Sequence, residues 1–186
     1  DDWDIVMNVH MNGTAYVTHA AWPIMYENNY GRIVCTSSGS GIWGNFGQAN
    51  YGAAKTAMIG FMNVLALEGA SHNIRVNCLA PAAATRMTAT VPGRPPIDVD
   101  NPPVERAPGL VTPAVLYMCS ENAPSGKIYQ ALNGRFSMAA MYTNPSVDLG
   151  ADASFESFVE NLDRISDMSA AEDGVAKRAR ARARQR

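Results

Sequence analysis

Tyr51 and Lys55 are four residues apart, the spacing that puts two side chains on one face of a helix with their ends able to converge. Thirteen residues before Tyr51, Ser38 follows directly on an apolar run, Arg32-Ile33-Val34-Cys35-Thr36-Ser37. A hydroxyl there stands at the end of a strand, where open α/β sheets bind their ligands. Phenol, ammonium and hydroxyl together suit proton transfer at a carbinol oxygen. A phenol has an ordinary pKa of about 10, and an adjacent ammonium favours its anion. A phenol so tuned passes a proton to or from an alcohol while the hydroxyl holds the same oxygen.

Helices and strands must place these groups. Residues 1–28 read as one long helix, with Ile5, Val9, Val17, Ala20, Ala21 and Ile24 at helical spacing. Asp2 and Asp4 suit its positive end, and Gly13 admits the close approach of another backbone. Asn29-Tyr30-Gly31 is a turn and residues 32–37 a buried strand. Residues 50–68 form a second helix, with small Ala53, Ala54 and Ala57 beside Met58, Phe61, Met62, Val64 and Leu65. Residues 73–79 are a strand that ends at Pro81. Thr85 and Arg86 begin a segment expected to close over substrate, and the Pro-rich residues 91–108 read as an irregular lid or surface loop. Thr112-Pro113 looks like an N-cap followed by proline, opening a helix to about Ser120. Residues 127–132 are a last strand, with Asn133-Gly134 as a turn. Residues 154–168 carry Phe155, Phe158, Val159, Leu162 and Ile165 on one stripe, expected to cover an apolar patch. Strands alternating with helices predict an α/β fold around a parallel sheet.

Gly39-x-Gly41-x-x-Gly44 follows a strand and matches the dinucleotide fingerprint letter by letter. That assignment fails on context. No helix opens at Gly44, since Asn45-Phe46-Gly47 continues a loop. No strand ending in an acid follows at the required distance, because Glu68 closes the next helix. The stretch reads instead as a mobile substrate loop offering Ile42, Trp43 and Phe46.

Ser38 with Tyr51-x-x-x-Lys55 resembles the catalytic signature of the short-chain dehydrogenase/reductase family. The wider text, DWD near the start, GRIVCTSSGSGIWGNFGQANYGAAK and NIRVNCLAPAAATRMT, is similar to the (3R)-hydroxyacyl-CoA dehydrogenase domains of type 2 multifunctional enzymes and their bacterial relatives. The likeness is close over residues 1–90 and looser to about Ala170. It implies the carboxyl-terminal part of a doubly wound, Rossmann-like parallel sheet with flanking helices. It also implies hydride transfer between NAD or NADP, NAD slightly favoured, and a secondary alcohol or ketone. A (3R)-3-hydroxyacyl-CoA is the first expected substrate and a steroid 17β-alcohol the next. Tyr51 is then the general acid/base, Lys55 supports its anion and bonds the nicotinamide ribose, and Ser38 polarises the substrate oxygen. Pro81 lies against the carboxamide. The family's second copy of this chain packs on the two long helices, so a homo-oligomer is implied.

The chain departs from the family pattern twice. His10 stands where most members have an asparagine that holds a water; it is a tentative fourth catalytic residue, or a satisfied packing histidine. Pro81-Ala82 stands where Pro-Gly is usual. The upstream βαβ series that carries the Gly-rich pyrophosphate turn amounts to roughly 90 to 110 residues and is expected in a larger protein. The rival reading is a non-catalytic remnant that serves as an oligomerisation module.

The 186 residues carry 47% hydrophobic and 17% charged side chains, enough for one domain with a core. The expected divisions are residues 1–150 as the partial catalytic domain, 151–176 as an amphipathic helical extension and 177–186 as a basic, disordered tail. That tail holds six of the fifteen basic residues, leaving nine basic against seventeen acidic in the rest. It lacks aromatic support, so nucleic acid is not an expected partner. No apolar run approaches the length of a membrane helix. The three cysteines, Cys35, Cys78 and Cys119, read as reduced, buried thiols. They suit the cytoplasm, or a peroxisome in a eukaryote. His10, His19 and His72 lack metal-ligand spacing, so no metal is expected.

Overall fold

The computed structural model describes residues 2–89, 98 and 101–183. These divide into two compact units, one ending at Ala139 and one beginning at Ala140, rather than at residue 150.

The first unit is built on a four-stranded sheet. Strands β1 (Gly31–Thr36), β2 (Ile74–Ala82) and β3 (Ile128–Leu132) run parallel, and β4 (Arg135–Ala139) is antiparallel to β3, in the order β1-β2-β3-β4. The sequence reading ended at β3 and missed β4. The turn it did find explains the reversal: Asn133 and Gly134 have φ of 52° and 70°, the left-handed pair that two-residue hairpins need. Strand β2 is buried on both faces, with Ile74, Val76, Cys78, Leu79 and Ala80 almost fully shielded, as a central parallel strand should be.

Helices cover both faces, so the sheet is doubly wound and Rossmann-like as expected. On one face, α4 (Ala49–Glu68) sets Met58, Met62 and Leu65 against Cys35, Ile74, Val76 and Cys78. On the other, Met118 of α6 (Thr112–Cys119) packs on Leu79 and Ala131. Helix α6 has Pro113 in its first turn, but Thr112 is already helical. Val111 takes the capping position with no side-chain bond, after a 3-10 turn at Pro108–Val111. Cys35 and Cys78 are register partners on β1 and β2. Their mutual hydrogen bond and burial push the Cys78 thiol up, so it packs as a neutral group. Cys119, expected to be buried, is exposed.

The first long helix is helical throughout but not uniform. Segment α1 (Asp2–Met7) passes through a π-helical stretch, Asn8–Asn12, into α2 (Gly13–Glu27). The side facing this core is Met11, Trp22 and Met25. The predicted stripe points outward: Ile5, Val9, Val17 and Ile24 are exposed. Val9, Val17, Ala21 and Met25 instead line a groove of about 570 Å³ along Ile33 and Val34 of β1, which is the outer strand of the described sheet.

In the second unit, β5 (Tyr142–Thr143) pairs antiparallel with β6 (Glu172–Asp173). The predicted single amphipathic helix is two short ones, α7 (Phe155–Glu160) and α8 (Leu162–Ser166), broken at Asn161. Ser154 and Ser157 form a reciprocal cap at its start. Of the stripe expected to cover a patch of the domain or of a neighbouring subunit, Phe155, Phe158, Val159 and Leu162 are exposed in the single chain. The described part of the basic tail is helical, not disordered: α9 (Gly174–Ala183) begins on Asp173, which accepts from Val175 and Ala176. Lys177 and Arg180 pair with Glu172. Among the described residues, no helix is long and apolar enough to cross a membrane.

Candidate active site

The carboxyl end of β1 and the amino-terminal half of α4 bring the candidate groups together. Tyr51 and Lys55 share one face of α4, with the Lys55 Nζ 5.5 Å from the Tyr51 ring centre. Lys55 is buried, and its ammonium donates to the Thr36 carbonyl at 3.0 Å. Burial holds its pKa below the ordinary lysine value. The next residue of the chain, Ser37, is also buried and donates its hydroxyl to the Lys55 carbonyl at 2.8 Å. Ser38 then caps a short helix, α3 (Gly39–Trp43), by accepting from the Ser40 N–H at 3.2 Å. Its oxygen serves the cap as an acceptor, so its own hydroxyl proton remains available to a substrate oxygen.

The Gly39–Gly44 stretch, expected to be a loop, is therefore one turn of helix, ended by Gly44 at φ 80°. Ile42 packs on the core, while Trp43 and Phe46 stay exposed. Trp43 donates from its ring nitrogen to Gln130 of β3, and Gln130 donates in turn to Ser137 of β4. This chain ties the α3 turn to the sheet. Sequence reasoning missed Gln130 and Ser137, since 87 residues separate Trp43 from Gln130.

His10 joins the same cluster. Its ring meets Tyr51 edge to face at 5.4 Å, and it lies in the π-helical stretch, a distortion frequent at functional sites. Burial, then the Lys55 charge, lower its pKa below 6.5. The sign follows from linkage: the folded state binds fewer protons than the unfolded chain just below that value, so stability falls as pH drops through it. Denaturation midpoints measured between about pH 7 and 5 should therefore decline, and His10→Gln should flatten the slope. An unchanged slope would mean that His10 titrates freely. One turn apart on the same helix, Asn12 donates its side-chain amide to Asn8 at 2.7 Å.

Pro81 lies at the same carboxyl edge, two residues past Leu79, which is the register partner of Thr36. It is still within β2, and Ala82 beyond it is exposed. Thr85 caps a short helix, α5 (Arg86–Ala89), through bonds with Thr88. Of the Pro-rich stretch expected to form a lid, residues 91–97 and 99–100 lie outside the described residues, and the rest is irregular apart from a 3-10 turn at Val104–Arg106 and the start of the next at Pro108.

Residues 1–94 match the family of short chain dehydrogenases. The chain belongs to the short-chain dehydrogenase family. It is 40% identical over 172 residues to a short-chain type dehydrogenase/reductase of Mycobacterium tuberculosis, covering 92% of this chain and 58% of that protein. It is 48% identical over 122 residues to the peroxisomal multifunctional enzyme type 2 of Mus musculus, covering 66% of this chain and 16% of that protein. Full-length peroxisomal multifunctional enzyme type 2 from Drosophila melanogaster superposes with a TM-score of 0.78 at 33% identity, over 97% of this chain and 33% of that one. The short-chain dehydrogenase segment seen here thus spans little more than half of the mycobacterial relative and less of the multifunctional ones. Members of this family use nicotinamide cofactors, and the donor set fits one end of such a group. The Lys55 ammonium has three N–H donors, and among the described residues it donates to the Thr36 carbonyl.

Proposed function

We propose that the complete protein is an NAD(P)-dependent dehydrogenase that interconverts a secondary alcohol and a ketone, with a (3R)-3-hydroxyacyl-CoA and its 3-ketoacyl-CoA as the pair. One observation supports this reading above the others: the phenol of Tyr51 and the buried ammonium of Lys55 share one face of α4 where β1 ends, next to the segment that carries Ser38. Tyr51 exchanges a proton with the carbinol oxygen. Lys55, 5.5 Å from the ring, favours negative charge on the phenol oxygen as that proton moves. Ser38 holds the carbinol oxygen through its hydroxyl. The bound nicotinamide supplies or accepts the hydride. Lys55 would hold the nicotinamide ribose, and the backbone at Pro81 would border its carboxamide. His10, whose ring meets Tyr51 edge to face, would relay the proton from Tyr51. The choice of substrate rests on the likeness to the multifunctional enzymes. The exposed apolar residues Ile5, Val9, Val17 and Ile24 on the first helix and Val64 on α4 support a homo-oligomer through these helices.

The test follows nicotinamide absorbance with the complete protein, NAD or NADP, and three alcohols: a (3R)-3-hydroxyacyl-CoA, its (3S) epimer and a 17β-hydroxysteroid. Turnover of the (3R) compound above the others is expected. Preference for the steroid would replace the substrate, and no turnover of any alcohol would defeat the reading. Ser38→Ala should lower kcat by about 10-fold, less than loss of the acid/base itself. Lys55→Arg should be more damaging than Ser38→Ala although it keeps the charge, because a planar fork does not fit a seat built for an ammonium.

A further inference from the structure

We propose that the Ser37–Gly41 segment clamps the Lys55–Thr56 peptide of α4 and so fixes where the Lys55 ammonium stands against Tyr51 and Ser38. Ser37, Gly41 and Thr56 are its positioning residues. Three contacts converge on that one peptide. The Ser37 hydroxyl donates to the Lys55 carbonyl at 2.8 Å. Gly41 is buried, and a Cβ on it would stand 2.7 Å from the Lys55 carbonyl carbon and 2.8 Å from the Thr56 nitrogen. Real side chains do not tolerate such a distance to rigid backbone, so only glycine lets α3 sit this close. The Thr56 hydroxyl closes the grip from the other side, 2.6 Å from the Gly41 carbonyl.

Lys55 is thereby held at both ends, its backbone by Ser37 and Gly41 and its ammonium by Thr36. Ser38 lies within the same segment, between Ser37 and Gly41. A slip of the segment along α4 would therefore change the spacing of Ser38, Tyr51 and Lys55 together. The bland alternative for Thr56 is its second contact, to the Gly52 carbonyl one helical turn back at 2.9 Å, which any helical threonine makes. A misplacement of about 1 Å at a reacting group costs on the order of 100-fold in rate, so a modest clamp has a measurable effect.

The kinetic arm rests on the dehydrogenase reading above, and a second arm does not. Thr56→Val keeps shape and removes the hydroxyl at an exposed position. In the folded complete protein it should lower kcat by about 10- to 100-fold with little change in KM, and Thr56→Ser should restore kcat. Ser37→Ala should act in the same direction, and it takes over both readouts if Thr56→Val does not fold. The second arm titrates Lys55 by competitive amine labelling and mass spectrometry. Burial lowers its pKa in the native seat, with His10 and Tyr51 as the titratable neighbours, and release by Thr56→Val should return it toward the ordinary lysine value. An unmoved Lys55 titration in a folded variant overturns the clamp, whether or not kcat falls, and so does failure of Thr56→Ser to rescue. If the wild-type protein oxidises no alcohol, the functional reading falls and the labelling alone decides the clamp.

Discussion

Replacing Tyr51 by Phe in the complete protein should reduce kcat by about 10²- to 10⁴-fold and leave the fold unchanged. The substitution deletes one hydroxyl. The ring keeps its edge contact with His10 at 5.4 Å and its place beneath the Lys55 ammonium at 5.5 Å, so packing hardly changes. On the proposed reading the group lost is the proton donor and acceptor, for which neither Ser38, assigned to orient the alcohol, nor Lys55, engaged with Thr36, would substitute. KM for the alcohol should change far less than kcat, because the lost interaction acts on the moving proton. Oxidation of a (3R)-3-hydroxyacyl-CoA, followed at the nicotinamide absorbance with circular dichroism as the control for folding, makes the comparison. Near-normal turnover would make Tyr51 a packing aromatic and end the case for this site.

The largest effect on stability should come from Met58→Ala. Met58 is 1% exposed and sits on α4 against Cys35, Met62 and Cys78. Its carbonyl also accepts from the Cys78 thiol. Truncating a buried methionine removes its transfer free energy and leaves a cavity, about 2 to 5 kcal/mol together. That is a large fraction of the roughly 5 to 15 kcal/mol that holds a domain folded. The urea midpoint should fall with an unchanged slope. Val64→Ala, on the same helix but 53% exposed, should stay within about 0.5 kcal/mol. Equal losses at the two positions would mean that the outward face of α4 is covered in solution as firmly as its core face.

The alternation of strands and helices, the turn at Asn133-Gly134 and the shared face of Tyr51 and Lys55 were all legible from residue order. Each depends on local physics: side-chain period, the φ that Asn and Gly tolerate, and the rise of a helix. The rejection of Gly39, Gly41 and Gly44 as a phosphate loop also came from local context, although a turn of helix replaced the expected loop. Its glycine at position 41 is needed for close packing, a demand set by the neighbouring backbone of Lys55 and Thr56. Periodicity gave the first helix an apolar stripe but not its direction. Ile5, Val9 and Val17 mark a face, and only the sheet decides that Met11, Trp22 and Met25 are the residues turned toward it. Strand β4 went unread because its residues, Arg135–Ala139, are mostly exposed and carry no buried alternation.

By itself, then, the sequence determined the two long helices and three parallel strands of the first unit, the residue types available at Ser38, Tyr51 and Lys55, and the family text around them, because these are properties of neighbours along the chain. Tertiary structure decided that Thr36 and Ser37 hold the two ends of Lys55, that His10 lies edge-on to Tyr51, and that Trp43 reaches Gln130. Those contacts join residues 18 to 87 positions apart. No spacing rule reaches that far, since only the register of a parallel sheet and the seat of a helix on it fix where such partners meet.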